Sequence, residues 1–203
     1  MSSGILHIVD DDPAIGRALV MLASSAGLTA VAHTSAAAFL AVFDPESAGC
    51  VVTDARMPGM SGLELLRALR DRGAGVPVIV VTGHGAVSMA VEALKGGAAD
   101  FIEKPFDDDI FLASVRSALA AAERTAVSRQ ARASLAAKAA QLSAREREVM
   151  DLIVEGLSSP AIAQRLEISV RTVESHRARV MEKMGAQGLA DLVRQSIRLQ
   201  QTD

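Results

Sequence analysis

Short apolar runs alternate with longer amphipathic segments through the first part of the chain. The short runs are ILHIVD at 5–10, LTAVAH at 28–33, CVVTD at 50–54, VPVIVVTG at 76–83 and DFIEK at 100–104. Continuous apolar runs are typical of strands that helices cover on both faces, whereas the segments between them repeat their apolar residues at the helical period. This alternation predicts an α/β domain in which five strands form a doubly wound parallel sheet with five helices around it.

The rest of the chain is predicted to be all-α. Between Asp107 and about Ala140 there is no glycine or proline, and alanine, arginine and glutamine recur. The last helix of the first domain is therefore predicted to continue as a long linker helix. The remainder divides into four short helices, and the two at 160–167 and 170–184 form a helix-turn-helix pattern. The predicted domains are 1–121 and 141–203, joined by the linker helix at 122–140.

Capping signals indicate where several of these helices begin and end. A polar residue followed by proline, or by glutamate three positions later, starts a helix, and glycine stops one. The expected starts are Asp12 with Pro13, Ser61 with Glu64, Ser143 with Glu146, Ser159 with Pro160, and Ser169; the expected stops are Gly27, Gly73, Gly96, Gly156 and Gly185.

Composition predicts the cellular location. Half of the 203 residues are apolar, which is enough for two modest cores. No apolar run approaches the roughly 20 residues that cross a bilayer, and the first residues lack the pattern of a secretory signal. The single cysteine, Cys50, cannot form an internal disulfide and suits a reducing compartment. We therefore expect a cytoplasmic protein with no membrane partner.

The charge is unevenly divided along the chain. Residues 1–123 contain 8 basic and 15 acidic side chains, whereas residues 124–203 contain 13 basic and 9 acidic ones. An acidic first domain suits a site that depends on a cation, and a mildly basic second domain is compatible with DNA.

Polar residues follow four of the predicted strands. Asp10 and Asp11 end the first strand, Asp54 the third, Thr82 the fourth and Lys104 the fifth. Singly, each has a plain structural reading, as a helix cap, an ordinary strand-end threonine or a solvated lysine. Together they lie at the edge where doubly wound sheets bind ligands. Carboxylates suit Mg²⁺, and a hydroxyl with an ammonium can hold phosphoryl oxygens, so the set indicates phosphoryl chemistry on a carboxylate.

Several motifs resemble those of a known family. The stretches VDDDP (9–13), TDARMPGMSGLELL (53–66), VTGHG (81–85) and DFIEKPF (100–106) resemble the receiver domain of two-component response regulators. The stretches LSAREREVM (142–150) and ISVRTVESHRARVMEKM (168–184) resemble the LuxR or FixJ type of helix-turn-helix DNA-binding domain. The resemblance implies a phosphorelay protein that regulates transcription and is not an enzyme acting on a separate substrate.

The receiver resemblance assigns roles to the acids. It implies that Asp54 is the phosphoacceptor and that Mg²⁺ is the cofactor. Asp11 and Asp54 would bind the ion directly, Asp10 would assist through water, and the backbone carbonyl of Arg56 would be a further ligand.

The same resemblance implies a switch. Thr82 and Lys104 would engage the phosphoryl group, and the Lys104-Pro105 peptide would be cis, which proline permits. Phe101 matches the switch aromatic, although it also reads as an ordinary core phenylalanine. Gly59 and Gly83 are small where the family admits the kinase and the phosphoryl group.

Helical geometry divides the second helix of the helix-turn-helix pattern into two faces. Val173, Val180 and Met184 form an inward stripe that the stem of Arg177 flanks. The opposite face is predicted to read DNA, although any one of its residues could simply be solvated and His176 could be structural. We assign Arg171, Glu174 and Ser175 to bases, and Thr172, His176, Arg179 and Lys183 to phosphates.

The expected partners are a sensor histidine kinase, double-stranded DNA, a second copy of the chain on activation and, as a further candidate, RNA polymerase. Dimerisation is expected through the face made by the fourth helix, the fifth strand and the fifth helix. Two other functions compete with this one. A phosphatase of the haloacid dehalogenase kind would need a second acid where Arg56 stands. A DNA-binding protein with a purely structural receiver would not need the full set of acids, threonine and lysine.

Overall fold

The first domain contains a sheet of five parallel strands. The computed structural model describes residues 4–45, 49–83 and 87–200. The strands are β1 (Ile5–Val9), β2 (Ala30–His33), β3 (Gly49–Asp54), β4 (Val78–Thr82) and β5 (Asp100–Glu103). They lie in the order β2-β1-β3-β4-β5, and every pairing is parallel. The predicted doubly wound sheet is therefore confirmed, and its strand order reverses beside β1 and β3.

Helices cover both faces of this sheet because alternate strand residues point to opposite sides. Val51 packs with the three helices of one face, whereas its neighbours Cys50 and Val52 pack with the two helices of the other. The first face carries α2 (Ala36–Leu40), α3 (Gly62–Asp71) and α4 (Val87–Lys95), and the second carries α1 (Pro13–Ser25) and the start of α5 (Asp108–Ala140).

Helix α5 is 33 residues long, so the predicted long helix without glycine or proline is confirmed. The chain forms two compact units, Met1–Val127 and Ser128–Asp203, and the division falls inside this helix. It lies within the predicted linker of residues 122–140, and the finer domain boundaries remain predictions.

The second unit is all-α. Besides the end of α5, it contains α6 (Ala144–Val154), α7 (Ser159–Leu166), α8 (Val170–Met184) and α9 (Leu189–Gln200). Its core includes Ile162, Val173, Val180, Met184 and Leu192, all fully buried. Helices α7 and α8 are joined by a tight turn and form the predicted helix-turn-helix.

One capping prediction was wrong by one residue. The hydroxyl of Ser158, not Ser159, accepts the capping bond of α7, and Ser159 becomes a buried first residue of that helix. Helix α4 ends at Lys95, directly before the predicted stop at Gly96, and Gly97 has the left-handed conformation, with a φ of 88°. The other starts, at Asp12, Ser61, Ser143 and Ser169, are confirmed. Within the described residues, every helix is too short or too polar to span a bilayer.

Candidate functional site

Three charged side chains meet where β1, β3 and β5 end. Asp10 follows β1, Asp54 is the last residue of β3 and Lys104 follows β5. The Lys104 Nζ lies 2.9 Å from Asp54 Oδ1 and 3.1 Å from Asp10 Oδ2. The three side chains are 22%, 14% and 6% exposed for Lys104, Asp54 and Asp10 respectively. The structure therefore brings together three of the five strand-end residues that the sequence singled out.

Backbone donors orient both carboxylates. Asp10 Oδ1 accepts from the amide of Asp12 at 2.9 Å, and Asp54 Oδ2 accepts from the amide of Arg56 at 2.7 Å. Each carboxylate thus gives one oxygen to the backbone and the other to Lys104. This arrangement fixes the direction in which Asp54 points, and it leaves no need for a further protein cation to satisfy the pair.

The electrostatics of the pocket favour a charged lysine. Burial alone would lower the pKa of Lys104, but its hydrogen bonds to Asp54 and Asp10, together with their negative charges, outweigh burial and raise the pKa. The ammonium is therefore charged at neutral pH, where it can balance two carboxylates or a carboxylate that carries a phosphoryl group.

The residues present fit a magnesium ion that takes only a few of its ligands from the protein. Asp11 is exposed beside this cluster, and no three His, Cys, Asp or Glu residues in the described ranges lie close enough together to enclose a metal. Mg²⁺ does not require such a cage, since it usually keeps several waters and binds through one or two carboxylates and a phosphate. Two carboxylates that converge on one cation position, with Asp11 next to them, match that preference.

The residues predicted to form the switch lie on β4 and β5. Thr82 is the last residue of β4 and is 1% exposed, and its carbonyl accepts from the Lys104 amide at 2.7 Å. Phe101 of β5 is partly buried against the core beneath α3 and α4. The Lys104-Pro105 peptide is cis, as the resemblance implied. The last two residues of VTGHG, His84 and Gly85, lie outside the described residues.

One residue that supports the pocket was not predicted. A Cβ at Gly62, the first residue of α3, would lie 2.2 Å from the carbonyl oxygen of Asp54 and 2.9 Å from the side chain of Thr53. Only glycine allows the start of α3 to approach the end of β3 so closely. The sequence signal was a glycine at the first position of a helix that Ser61 already caps well.

Helix α8, the second helix of the helix-turn-helix, has the predicted inward stripe. Val173, Val180 and Met184 are fully buried. Arg177 is partly buried beside them, and its Nη1 donates to Ser159 Oγ at 3.0 Å. This packing fixes which face of α8 remains for a ligand.

The opposite face of α8 is exposed, and two of its cations are unpaired. Among the described residues, Arg171 and Arg179 form no ion pair, and Glu174 lies 3.9 Å from Arg177 at the edge of the face. Five of the seven predicted DNA contacts are exposed: Arg171, Thr172, Glu174, Ser175 and Arg179.

The other two predicted contacts differ. His176 is half-buried, and its Nδ1 is buried without a hydrogen-bond partner in the described part of the chain. Lys183 donates to Glu146 Oε2 at 2.6 Å and to the carbonyl of Gln141 at 3.1 Å. The ammonium of Lys183 is thus engaged inside its own domain.

Family comparisons agree with this architecture. Residues 6–116 match the model of the response regulator receiver domain, and residues 140–196 match that of the bacterial regulatory proteins of the luxR family. The chain belongs to the response regulators that join a receiver domain to a LuxR-type DNA-binding domain.

Individual relatives extend over nearly the whole chain. The transcriptional regulatory protein FixJ of Azorhizobium caulinodans is 51% identical over 95% of this chain and 91% of its own, and FixJ of Bradyrhizobium diazoefficiens is 45% identical over 97% and 96%. Among solved structures, the response regulator StyR has a TM-score of 0.88 at 35% identity, covering 96% of this chain and 98% of its own. The protein is therefore a FixJ-type transcriptional response regulator and not a haloacid dehalogenase phosphatase.

Family membership also indicates the general kind of partner and cofactor. Receiver domains generally use Mg²⁺ and take their phosphoryl group from a histidine kinase, and LuxR-type domains bind DNA.

Proposed function

We propose that Asp54 is the residue that accepts the phosphoryl group. The observation that carries this proposal is the Lys104 ammonium held between Asp54 and Asp10 at 2.9 and 3.1 Å. A partly buried cation beside a well-oriented carboxylate stabilises the negative charge that phosphoryl transfer brings to this point. Asp54 is also the only one of the two acids that ends a strand at the centre of the sheet, between β1 and β4.

The reaction is a displacement at phosphorus. A carboxylate oxygen of Asp54 forms a new P–O bond while the P–N bond of the kinase phosphohistidine breaks, and the imidazole leaves with that electron pair. Lys104 would pair with a phosphoryl oxygen, and the hydroxyl of Thr82 would donate to another. Asp11, Asp54 and the Arg56 carbonyl would hold Mg²⁺, with Asp10 acting through water, and the ion would neutralise phosphoryl charge.

Intact-mass measurement tests this assignment. The full-length protein is incubated with Mg²⁺ and acetyl phosphate, and we expect one phosphoryl group on the wild type and none on Asp54→Asn. Asp12→Asn is a matched control, because Asp12 caps α1 beside the pocket and has no assigned role in transfer. Equal labelling of wild type and Asp54→Asn would refute the assignment, and no labelling of the wild type would favour a purely structural receiver.

We also propose that phosphorylation promotes a homodimer through α4. Three apolar side chains are exposed on this helix, Val87, Val91 and Leu94, at 82%, 44% and 53%. Their spacing places them on one stripe, and a stripe of this kind is typical of a surface that a partner covers. Movement of Thr82 towards the phosphoryl group, with Phe101 turning inward, would remodel this face and favour pairing.

A dimer explains how a small domain could bind DNA tightly. Two recognition helices related by a twofold axis would read half-sites about 10 base pairs apart or a multiple of that distance. Linking two weak sites raises affinity by about 10²-fold or more when the geometry permits. RNA polymerase remains a candidate third partner, and the cytoplasm remains the predicted location.

Sedimentation with and without acetyl phosphate tests the dimer. We expect the phosphorylated wild type to dimerise and Val91→Asp to remain monomeric, since a charge on the stripe would have to be desolvated in the interface. Met21→Asp, at an exposed position on α1, is the control and should dimerise normally. A phosphorylated protein that binds a selected operator strongly while monomeric would contradict this mechanism.

A further inference from the structure

The ends of α5 and α8 and the start of α6 meet in the second unit. Lys183 lies in the last turn of α8, and its Nζ reaches Glu146 Oε2 in the first turn of α6 at 2.6 Å. The same Nζ donates to the carbonyl of Gln141, just after the end of α5, at 3.1 Å. One ammonium therefore joins all three ends.

Glu146 is built to stay in this position. It is 3% exposed, and its Oε2 also accepts from the backbone amide of Ser143 at 2.8 Å, in the capping box of α6. The hydrogen bond from Lys183 and the one from the Ser143 amide lower the pKa of Glu146 to about 2. The carboxylate is therefore ionised at neutral pH, and it would be left without its cation if Lys183 turned towards DNA.

Two further contacts tie the same end of α5 to its neighbours. Arg147 Nη2 of α6 donates to the carbonyl of Ala139 at 2.9 Å. Gly185, which caps α8, lies against Lys138, since a Cβ built at Gly185 would be 3.2 Å from the Lys138 Nζ. The last turn of α5 is thus anchored to both α6 and the C-terminal end of α8.

We propose that Lys183 and Glu146 are a positioning pair that sets the recognition helix α8 against the end of α5, and that Lys183 does not contact a DNA phosphate. This proposal rests on the function proposed above, that the outer face of α8 binds DNA. Its consequence is that the end of α5 and the recognition helix move together. The position of α8 in the groove of the DNA then depends on residues that do not contact DNA.

The two roles of Lys183 predict opposite effects for Glu146. If Lys183 contacted a phosphate, removing the charge of Glu146 would free the ammonium and strengthen binding. If the two residues position α8, removing either one weakens sequence-specific binding. Glu146→Gln suits this comparison because glutamine still supports a capping box.

Full-length protein treated with Mg²⁺ and acetyl phosphate would be titrated with two duplexes at several salt concentrations. One duplex is selected from random DNA by the wild type, and the other is unrelated and of the same length. We expect Lys183→Met and Glu146→Gln each to weaken binding to the selected duplex about tenfold, the effect of losing one charged hydrogen bond. We expect neither to change the salt slope on the unrelated duplex, and Lys183→Arg to retain most of the affinity.

Arg179→Met is the matched control on the same helix. Arg179 is exposed and unpaired among the described residues, so its loss should reduce the salt slope by about 0.9 on both duplexes. A similar reduction for Lys183→Met, or unchanged or stronger binding by Glu146→Gln, would overturn the proposal. If Lys183→Met loses its helical circular dichroism, Glu146→Gln and Lys183→Arg decide the result. A wild type that bound no duplex would overturn the proposed function and this inference with it.

Discussion

The proposed phosphoryl-acceptor pocket and the proposed DNA-binding face both contain charged side chains, but they arrange these charges differently. In the pocket, Lys104 is paired with two carboxylates, Asp54 and Asp10, which lie 50 and 94 residues before it in the sequence. On the DNA-binding face, the cations come from one helix, and Arg171 and Arg179 are exposed and unpaired in the described structure.

This difference follows from what each region has to bind. A pocket that receives one phosphoryl group needs its charges fixed beforehand, because preorganised groups do not have to rearrange when the new charge arrives. A face that binds a polyanion gains affinity from cations that stay in solvent and displace counterions from the phosphates. We therefore expect the pocket to be intolerant of small changes in backbone position, and the face to tolerate substitutions without loss of folding.

The largest expected effect is on the pocket. Gly62→Ala would place a Cβ 2.2 Å from the Asp54 carbonyl, so β3 or α3 must shift. We expect the first unit to lose about 3 kcal/mol of stability in urea unfolding followed by circular dichroism. Gly188→Ala is the control in the second unit, since a Cβ there meets nothing within 4 Å. Equal urea midpoints for Gly62→Ala and the wild type would show that the pocket is more adaptable than its packing indicates.

Structural features that depend on neighbouring or periodically spaced residues were predicted correctly from the sequence. The helix starts at Asp12, Ser61 and Ser143 were predicted from residues at most three positions apart, and the structure confirms them. The strand-end residues were also predicted. Parallel strands present their carboxyl ends at one edge of the sheet, so the residues that follow each strand in the sequence are expected at that edge.

Some close contacts between elements that are distant in the sequence were not predicted. The Lys183–Glu146 pair spans 37 residues, and nothing in the periodicity of α8 distinguishes a lysine that faces α6 from one that faces solvent. The close approach of Gly62 to β3 was missed for the same reason. A glycine at the start of a helix does not indicate which strand packs against it. Such contacts depend on how helices pack. The apolar pattern predicts which face of a helix is buried, but not which residues of other elements that face contacts.

The second prediction concerns the DNA-binding face. Arg171→Ala should leave the fold intact, because the side chain is exposed and forms no ion pair among the described residues. Loss of a base contact should reduce affinity for a selected duplex by about 1–3 kcal/mol and relax selection at one base position. Repeating the selection from random DNA with the variant checks both effects. A uniform loss on all sequences, with selection unchanged, would assign Arg171 to a phosphate instead of a base.

The smallest expected effect concerns a histidine pair at the edge of the first unit. His7 Nδ1 and His33 Nε2 are 3.1 Å apart, and both rings pack against Phe39. The strands and the helix that carry these three residues, β1, β2 and α2, contain no other charged or titratable side chain. The hydrogen bond between the imidazoles needs at least one neutral ring, so protonation of both rings would break it and create repulsion.

The sign of the pH dependence follows from the folded-state pKa values. Burial and the neighbouring charge of His33 lower the pKa of His7, and burial lowers that of His33, from an ordinary value of 6.5. The native state therefore binds fewer protons than the unfolded chain. The pair's contribution to stability is complete above pH 6.5 and is lost as the pH falls through the lowered values. The effect should be small because both imidazoles are only partly buried.

Urea midpoints at pH 7.5 and 5.5 measure this effect. We expect the wild-type midpoint for the first unit to fall at pH 5.5, and His33→Gln to reduce that fall, since glutamine can still hydrogen-bond His7 but does not titrate. Other acids and histidines contribute equally to both proteins and cancel in the comparison. The second unit provides a contrast, because Glu146, with its pKa near 2, stays ionised over this range. An identical fall in the wild type and the variant would show that the pair does not make the sheet edge sensitive to protons.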